Sequence, residues 1–496
     1  MKYWIHLMKK YLYFFWVGLT LSSLFFFPII SSLNQHIYYF HWKNKDFFEL
    51  LLCWLLLGFL YSFIYFYAEK IKSLSIKLIT ISIIILPPLS FYLIQISRIA
   101  GLKTELIEIA GLAVSNQIIS LIALLILCSI VFYKKKLFLK ITSKVVTIFL
   151  FLNIFFVANI INTYLLIEAD PIQKLTTTQQ KMERTPLNAN TKPENIYFIV
   201  FDGLSYQYVY KDSKVKKKFA NIKKLASDST NYHLAFAPGK ATMQSMASYI
   251  TGKKLNKVQV INNKLVSVNT GGSLEDVIYS VGNIFKTAKT LGYKTALIGW
   301  YHNYCSFLYQ DLDYCRAYSY YKHNPIIDKF SLLNPIATNL GLLPYQKPFG
   351  YLKTRAAISN QINTVKKSLQ SSLHSIRSHN RSFQLLHFSV PHTPFIYDGN
   401  DYIYRNDAFS PNDDYYDKQL VLVDKIIGQL VNELKVLDAY KSSTIILTSD
   451  HNYRAMFSEN ENSRVPLIIK SNKTKLLVDD FGKVYVQDKL IEILVP

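Results

Sequence analysis

Cysteine is scarce in this sequence, with four residues in 496, too few for a disulfide framework to hold the chain together. Cys53 and Cys128 lie inside apolar runs, where a thiol behaves as a small buried hydrophobe. Cys305 and Cys315 bracket a short polar loop at a spacing that does not suit zinc. A local disulfide is expected there if that part of the chain lies outside the cytoplasm. Acidic side chains are also in short supply, 33 Asp+Glu against 56 Lys+Arg, for a formal charge of +23. Such a balance asks for an anionic partner. No recognised nucleic-acid motif accompanies it, so the partner is expected to be a lipid headgroup or a phosphate ester and not nucleic acid. A small-residue cleavage site is missing from the first apolar run, which is also too long for a removable signal peptide. That run is expected to stay in place as an anchor.

What is present in abundance is apolar sequence, concentrated in the first third. Five runs can be delimited, Tyr11–Leu33, Phe48–Ala68, Leu78–Ile96, Gln117–Tyr133 and Val145–Leu166, each near the ~20 residues a helix needs to cross a bilayer. Lysines crowd alternate connections: Lys2, Lys9 and Lys10, then Lys70, Lys72 and Lys77, then Lys134, Lys135, Lys136, Lys140 and Lys144. Positive residues favour the cytoplasmic side, which puts the N-terminus inside and, after an odd number of spans, everything past residue 166 outside. The expected organisation is a five-helix transmembrane anchor over 1–166, a polar linker over 167–194 and an extracytoplasmic domain over 195–496. The expected setting is a bacterial-type inner or plasma membrane, and the protein is expected to act as a monomer.

From Asn195 onward strand-like and helix-like segments alternate, which predicts an α/β domain with a mainly parallel sheet and helices on both faces. Asn195-Ile-Tyr-Phe-Ile-Val-Phe-Asp202-Gly203 is an apolar run ending on a carboxylate. Ser443-Thr-Ile-Ile-Leu-Thr-Ser-Asp450-His451 is another, ending on a carboxylate and an imidazole. Chemistry in an open sheet collects at the C-terminal ends of parallel strands, so both runs deliver metal-type ligands to one rim. Between them, Pro238-Gly239-Lys240 reads as a loop running into about three helical turns that Gly252 closes. Thr242 then sits at the N-terminal lip of a helix, where free N–H groups and the helix dipole favour an anion. A threonine there also serves simply as an N-cap.

Further along, Asn283–Leu291 reads as a helix and Tyr293–Gly299 as a strand leading to Trp300-Tyr301-His302. Phe383–Phe395 reads as a strand leaving the sheet edge into a loop fixed by Pro391 and Pro394, with His392 in the loop and His387 a structural residue within the strand. Asp414–Leu437 reads as the long helix, its buried side interrupted by Asp424, a carboxylate expected to be capped or paired.

Thr242, with Ser245 three residues on and Thr251-Gly252 nine and ten residues on, resembles the nucleophile segment of the alkaline-phosphatase superfamily. The similarity is greatest to its sulfatase-like branch of membrane phosphotransferases, which includes lipoteichoic acid synthase and the lipid A phosphoethanolamine transferases. The resemblance implies one divalent metal held by Asp202, Thr242, Asp450 and His451, zinc by donor type, with manganese or magnesium as alternatives. It implies Thr242 as catalytic nucleophile and His392, His302 and Lys240 as substrate-binding groups for non-bridging oxygens. True sulfatases oxidise a Cys or Ser at this place to formylglycine; Thr242 would give a ketone, not an aldehyde. Two departures stand out. Those transferases carry Glu where Asp202 stands, and their Asp-His-Gly is Asp450-His451-Asn452 here, Asn being tolerant of a left-handed backbone.

The expected function is therefore a metal-dependent transferase that moves a phospholipid headgroup phosphate, phosphoethanolamine or phosphoglycerol, through a phosphothreonine to a cell-envelope glycan or lipid. The alternatives are a hydrolase of the same fold and a membrane scaffold without chemistry. The hydrolase would act on a phosphate ester, a sulfate ester being disfavoured by the missing oxidisable residue. The complete Asp202, Thr242, Asp450 and His451 set argues against the scaffold.

Overall fold

A computed structural model of the chain describes chiefly residues 11–24, 44–81, 152–168, 195–319, 346–453 and 464–495, with short gaps inside the last three ranges. Two compact units are distinguished. The first holds the helices of the N-terminal third, among them α1 (Asn44–Lys70) and α2 (Leu152–Glu168). Buried polar side chains tie these to the helical stretch Tyr11–Leu24. Asn153 Nδ2 donates to Thr20 Oγ1 at 2.9 Å, Asn153 Oδ1 lies 2.8 Å from Ser23 Oγ, and Trp54 Nε1 donates to that same hydroxyl at 3.1 Å. Such bonds join helices where apolar surfaces alone have little preference.

Among the described residues one helix, Leu50–Lys70, is long and apolar enough to cross a membrane; Tyr11–Leu24 and Asn153–Asn162 are apolar but shorter. Of the five expected spans, Gln117–Tyr133 lies outside the described residues, as does Leu78–Ile96 beyond residue 81. The described residues thus do not support a count of five. The expected linker also falls outside them, apart from its first two residues.

The second unit is built on an eight-stranded sheet: β1 (Ile196–Asp202), β2 (Thr230–Phe236), β3 (Lys294–Tyr301), β4 (Tyr314–Ser319), β5 (Ser382–Pro391), β6 (Thr444–Ser449), β7 (Leu467–Lys470) and β8 (Asp479–Tyr485). Their spatial order is β8-β2-β7-β6-β1-β5-β3-β4. All neighbours pair in parallel except at β7, which runs antiparallel to both β6 and β2. A parallel strand covered on both faces must be apolar almost throughout, and every residue of β1, β5 and β6 is buried. The expectation that 383–395 leaves from the sheet edge is corrected here. β5 lies inside the sheet between β1 and β3, and its prolines fall at and beyond its end, where no further ladder bond is needed.

Around the sheet lie α3 (Ala220–Ser227), α4 (Thr242–Thr251), α5 (Ile284–Thr290), α6 (Gln346–Ser378, from Thr354 onward in this unit), α7 (Asp413–Val436) and α8 (Val486–Leu494). One sheet face, with Tyr197, Ile199, Phe201, Leu386, Phe388, Ile445 and Leu447, forms a single core with buried residues of α3, α6 and α7. Each such side chain contributes ~1.5–3 kcal/mol on burial. The other face meets α4 and α5, with the Tyr249 ring 5.2 Å from Phe198 and Phe285 5.5 Å from Phe383. Asp424, the interruption in α7, accepts from the Ile222 N–H at 2.8 Å and from Asn221 Nδ2 at 2.9 Å, closing the first turn of α3.

Candidate active site at the rim of the sheet

Asp202 is the last residue of β1, and Asp450 and His451 directly follow β6, so two neighbouring parallel strands end on the three groups. Thr242 is the first helical residue of α4; the N-cap is Ala241, in extended backbone. The threonine hydroxyl is therefore not spent on capping. It donates to Asp202 Oδ2 at 3.1 Å and lies 3.3 Å from His451 Nε2. His451 Nε2 is in turn 3.4 Å from Asp202 Oδ1 and 3.6 Å from Asp450 Oδ2. None of the four side chains is more than 4% exposed.

The backbone around them is clamped. Gly203, at φ +77°, turns the chain in a way that favours glycine and aims its N–H at Asp450 Oδ1, 3.0 Å away. Ser449 Oγ accepts from the Leu204 N–H at 2.7 Å, and the Tyr416 hydroxyl donates to the Gly203 carbonyl at 2.7 Å. His451 Nδ1 faces the Asn452 carbonyl at 2.8 Å, so that nitrogen carries the proton and Nε2 presents a lone pair to the cluster. Asn452 is not among the residues of positive φ, so the left-handed backbone an asparagine tolerates is not used here.

His387 also belongs to this rim, contrary to its reading as structural. Ligand atoms of Asp202, His387 and Asp450 all lie within 4.8 Å of one another. In the sheet His387 stands opposite Val200, two residues before Asp202, and side chains two apart on paired strands share a face. Its Nδ1 lies 3.0 Å from the Tyr304 hydroxyl, while Nε2 has no hydrogen-bond partner. Burial pushes its pKa down to about 4, against the pull of Asp450. At Asp450 burial works the other way and favours the neutral acid. His451, His387, the Gly203 N–H and the Thr242 hydroxyl outweigh it and hold the carboxyl below its ordinary value.

The expected substrate groups are placed differently from one another. The His392 ring is 6.4 Å from that of His451, with Nδ1 2.6 Å from the Thr393 carbonyl. Lys240 is exposed on the loop that leads into Thr242. His302 is buried against the rings of Tyr301, Tyr304 and Phe307, with neither ring nitrogen hydrogen-bonded, and burial pushes its pKa down to about 3.

The donor set suits a divalent cation: two carboxylates, an imidazole with Nε2 presented and a hydroxyl, all within a few ångströms. Asp450 Oδ2, buried and without a hydrogen-bond partner, is the kind of atom a positive ion would satisfy.

Residues 194–480 match the family described as Sulfatase. A search of curated proteins returns no match. Among solved structures the chain is similar to the phosphonate monoester hydrolase of Agrobacterium radiobacter, at 15% identity over 61% of this chain and 73% of that one, TM-score 0.39. It is similar to a protein in the alkaline phosphatase superfamily from Vibrio parahaemolyticus, at 14% identity over 63% and 69%, TM-score 0.39. It is also similar to Ps i-CgsB in complex with k-i-k-neocarrahexaose, at 19% identity over 61% and 72%, TM-score 0.42.

Proposed function

Because this chain belongs to the sulfatase family and is an enzyme of it, we propose that Thr242 is its nucleophile and that the reaction is transfer of a phospholipid headgroup phosphate to a cell-envelope glycan or lipid. The observation that carries this reading is the Thr242 hydroxyl, buried 3.1 Å from Asp202 Oδ2 and 3.3 Å from His451 Nε2. A residue that cannot become formylglycine stands where an oxidised one would, and its unmodified oxygen is already hydrogen-bonded to a base.

In the first half-reaction Thr242 Oγ attacks the donor phosphorus while its proton leaves along the hydrogen bond to Asp202. The P–O bond to the lipid alcohol breaks, and that oxygen takes up a proton as diacylglycerol departs. In the second, an acceptor hydroxyl attacks the phosphothreonine and loses its proton, and Thr242 Oγ regains one. Asp202, Thr242, Asp450 and His451 would hold a divalent cation, zinc by donor type with manganese or magnesium as alternatives. When bound it supplies positive charge at the hydroxyl and the phosphoryl oxygens. His392 and Lys240 would hold non-bridging oxygens; His302, enclosed by rings, is assigned no contact.

The same reading places residues 195–496 outside the cytoplasm, behind a membrane anchor over 1–166 and a linker over 167–194, and takes the protein as a monomer. The Cys305–Cys315 disulfide supports that placement, since such bonds persist in oxidising compartments.

The test is incubation of the purified full chain with labelled phosphatidylglycerol or phosphatidylethanolamine. Diacylglycerol and a labelled Thr242 are expected, and both vanish in Thr242→Ala. Label recovered only as free phosphate or free headgroup would make the protein a hydrolase.

A further inference from the structure

Tyr304 stands outside the four-residue cluster, yet several features are arranged to hold it there. Its side chain is fully buried, and its hydroxyl lies 3.0 Å from His387 Nδ1. Gly299, in the interior of β3, makes room for it. A Cβ at that position would come within 2.7 Å of Tyr304 Cε2 and 2.9 Å of Cδ2, so another residue would displace the ring. The next residue, Cys305, is joined to Cys315 of β4, which ties the short helix Tyr304–Phe307 to the sheet.

A buried O–H needs an acceptor. This phenol is enclosed and near the charges of Asp450 and Asp202, which together keep it protonated far above the ordinary range. The acceptor in reach is His387 Nδ1. A neutral imidazole that accepts at Nδ1 carries its own proton on Nε2, the nitrogen that has no hydrogen-bond partner.

We propose that Tyr304 is a positioning residue: by donating to His387 Nδ1 it fixes that imidazole as an Nε2–H donor to an oxygen of the transferred group, and not as a ligand to a cation. This rests on the reading of Thr242 as the acceptor of a phosphoryl group.

Two measurements on the full chain test it. In the first, Tyr304→Phe, which removes one oxygen, is expected to lower kcat about tenfold with KM within about twofold and metal content unchanged. The same change made in a His387→Ala background is expected to cost less than about twofold, because the two act as one unit. Gly299→Ala is expected to reproduce the kcat loss. A wild-type rate in Tyr304→Phe, or an equal loss in the His387→Ala background, overturns the proposal. In the second, nitrogen chemical shifts of labelled His387 should show an acceptor-type Nδ1 and a protonated Nε2 in the wild type, and lose that preference in Tyr304→Phe. A protonated Nδ1 in the wild type also overturns it. If the wild type never labels Thr242, the transferase reading fails by itself, and the nitrogen shifts still decide the role of Tyr304.

Discussion

Asp424, where α7 meets α3, and Asp450, at the end of β6, are both buried in the sheet-bearing unit, and their surroundings are opposite. Asp424 is saturated by donors, with the Ile222 N–H, the Asn221 N–H and the Asn221 side chain all turned toward it. Asp450 receives the Gly203 N–H on one oxygen and leaves the other, Oδ2, facing the imidazole of His451 at 3.6 Å and a second carboxylate beyond it. The first arrangement answers the cost of burying a charge and ends there. The second leaves one oxygen without a donor, which is what a group reserved for a cation or a reacting oxygen looks like. Burial alone does not distinguish a structural carboxylate from a chemical one; the count of donors does.

The contrast is sharpest at the rim. Asp450→Asn should abolish turnover, by about a thousandfold or more, while the metal-free protein loses only the modest stability supplied by the partners that hold that carboxyl below its ordinary value. Rates with saturating metal, together with melting in a chelator, check both halves. Asp424→Ala should do the reverse. Three N–H donors lose their acceptor, so unfolding free energy should fall by about 2–4 kcal/mol in denaturant titrations, and kcat per folded molecule should not change.

The smallest expected effect belongs to a buried group with partners of neither kind. His302 has its pKa pushed from 6.5 to about 3 by burial. Between those values the unfolded chain binds a proton that the folded chain does not. Its contribution to stability is thus complete above pH 6.5 and is lost as pH falls toward 3, with a slope of up to ~1.4 kcal/mol per unit. His302→Phe should flatten the stability profile between pH 6.5 and 5. The part owed to His387, displaced in the same direction, should remain.

Much of the site was legible because each catalytic candidate terminates or opens a local pattern. Asp202 and Asp450-His451 end apolar runs, and Thr242 opens a short helix that Gly252 closes in a left-handed conformation at φ +69°. What local pattern cannot carry is register. His387 reads as an ordinary strand residue until β5 is set beside β1 with His387 opposite Val200, a pairing between segments 187 residues apart. The enclosure of His302 by Tyr301, Tyr304 and Phe307 is local in sequence, but it depends on the fold of a short helix after β3 that apolar spacing does not describe. Two helices are not legible in the sequence. α6, at 33 residues longer than α7, has a weakly apolar pattern. α8 matters through packing, with Ile491 lying over Gly252.

The central position of β1 has a consequence for biosynthesis. Its neighbours in the sheet are encoded far downstream, with Gly203 and Asp450 separated by 247 positions. At the usual pace of translation the strand bearing Asp202 waits roughly 10 to 50 s for the segment that completes its rim. Until then an apolar ribbon with open edges must be sheltered from its own kind. A nascent chain for the same reason lacks the assembled rim, and Thr242 acquires its companions only when nearly the whole polypeptide has been made.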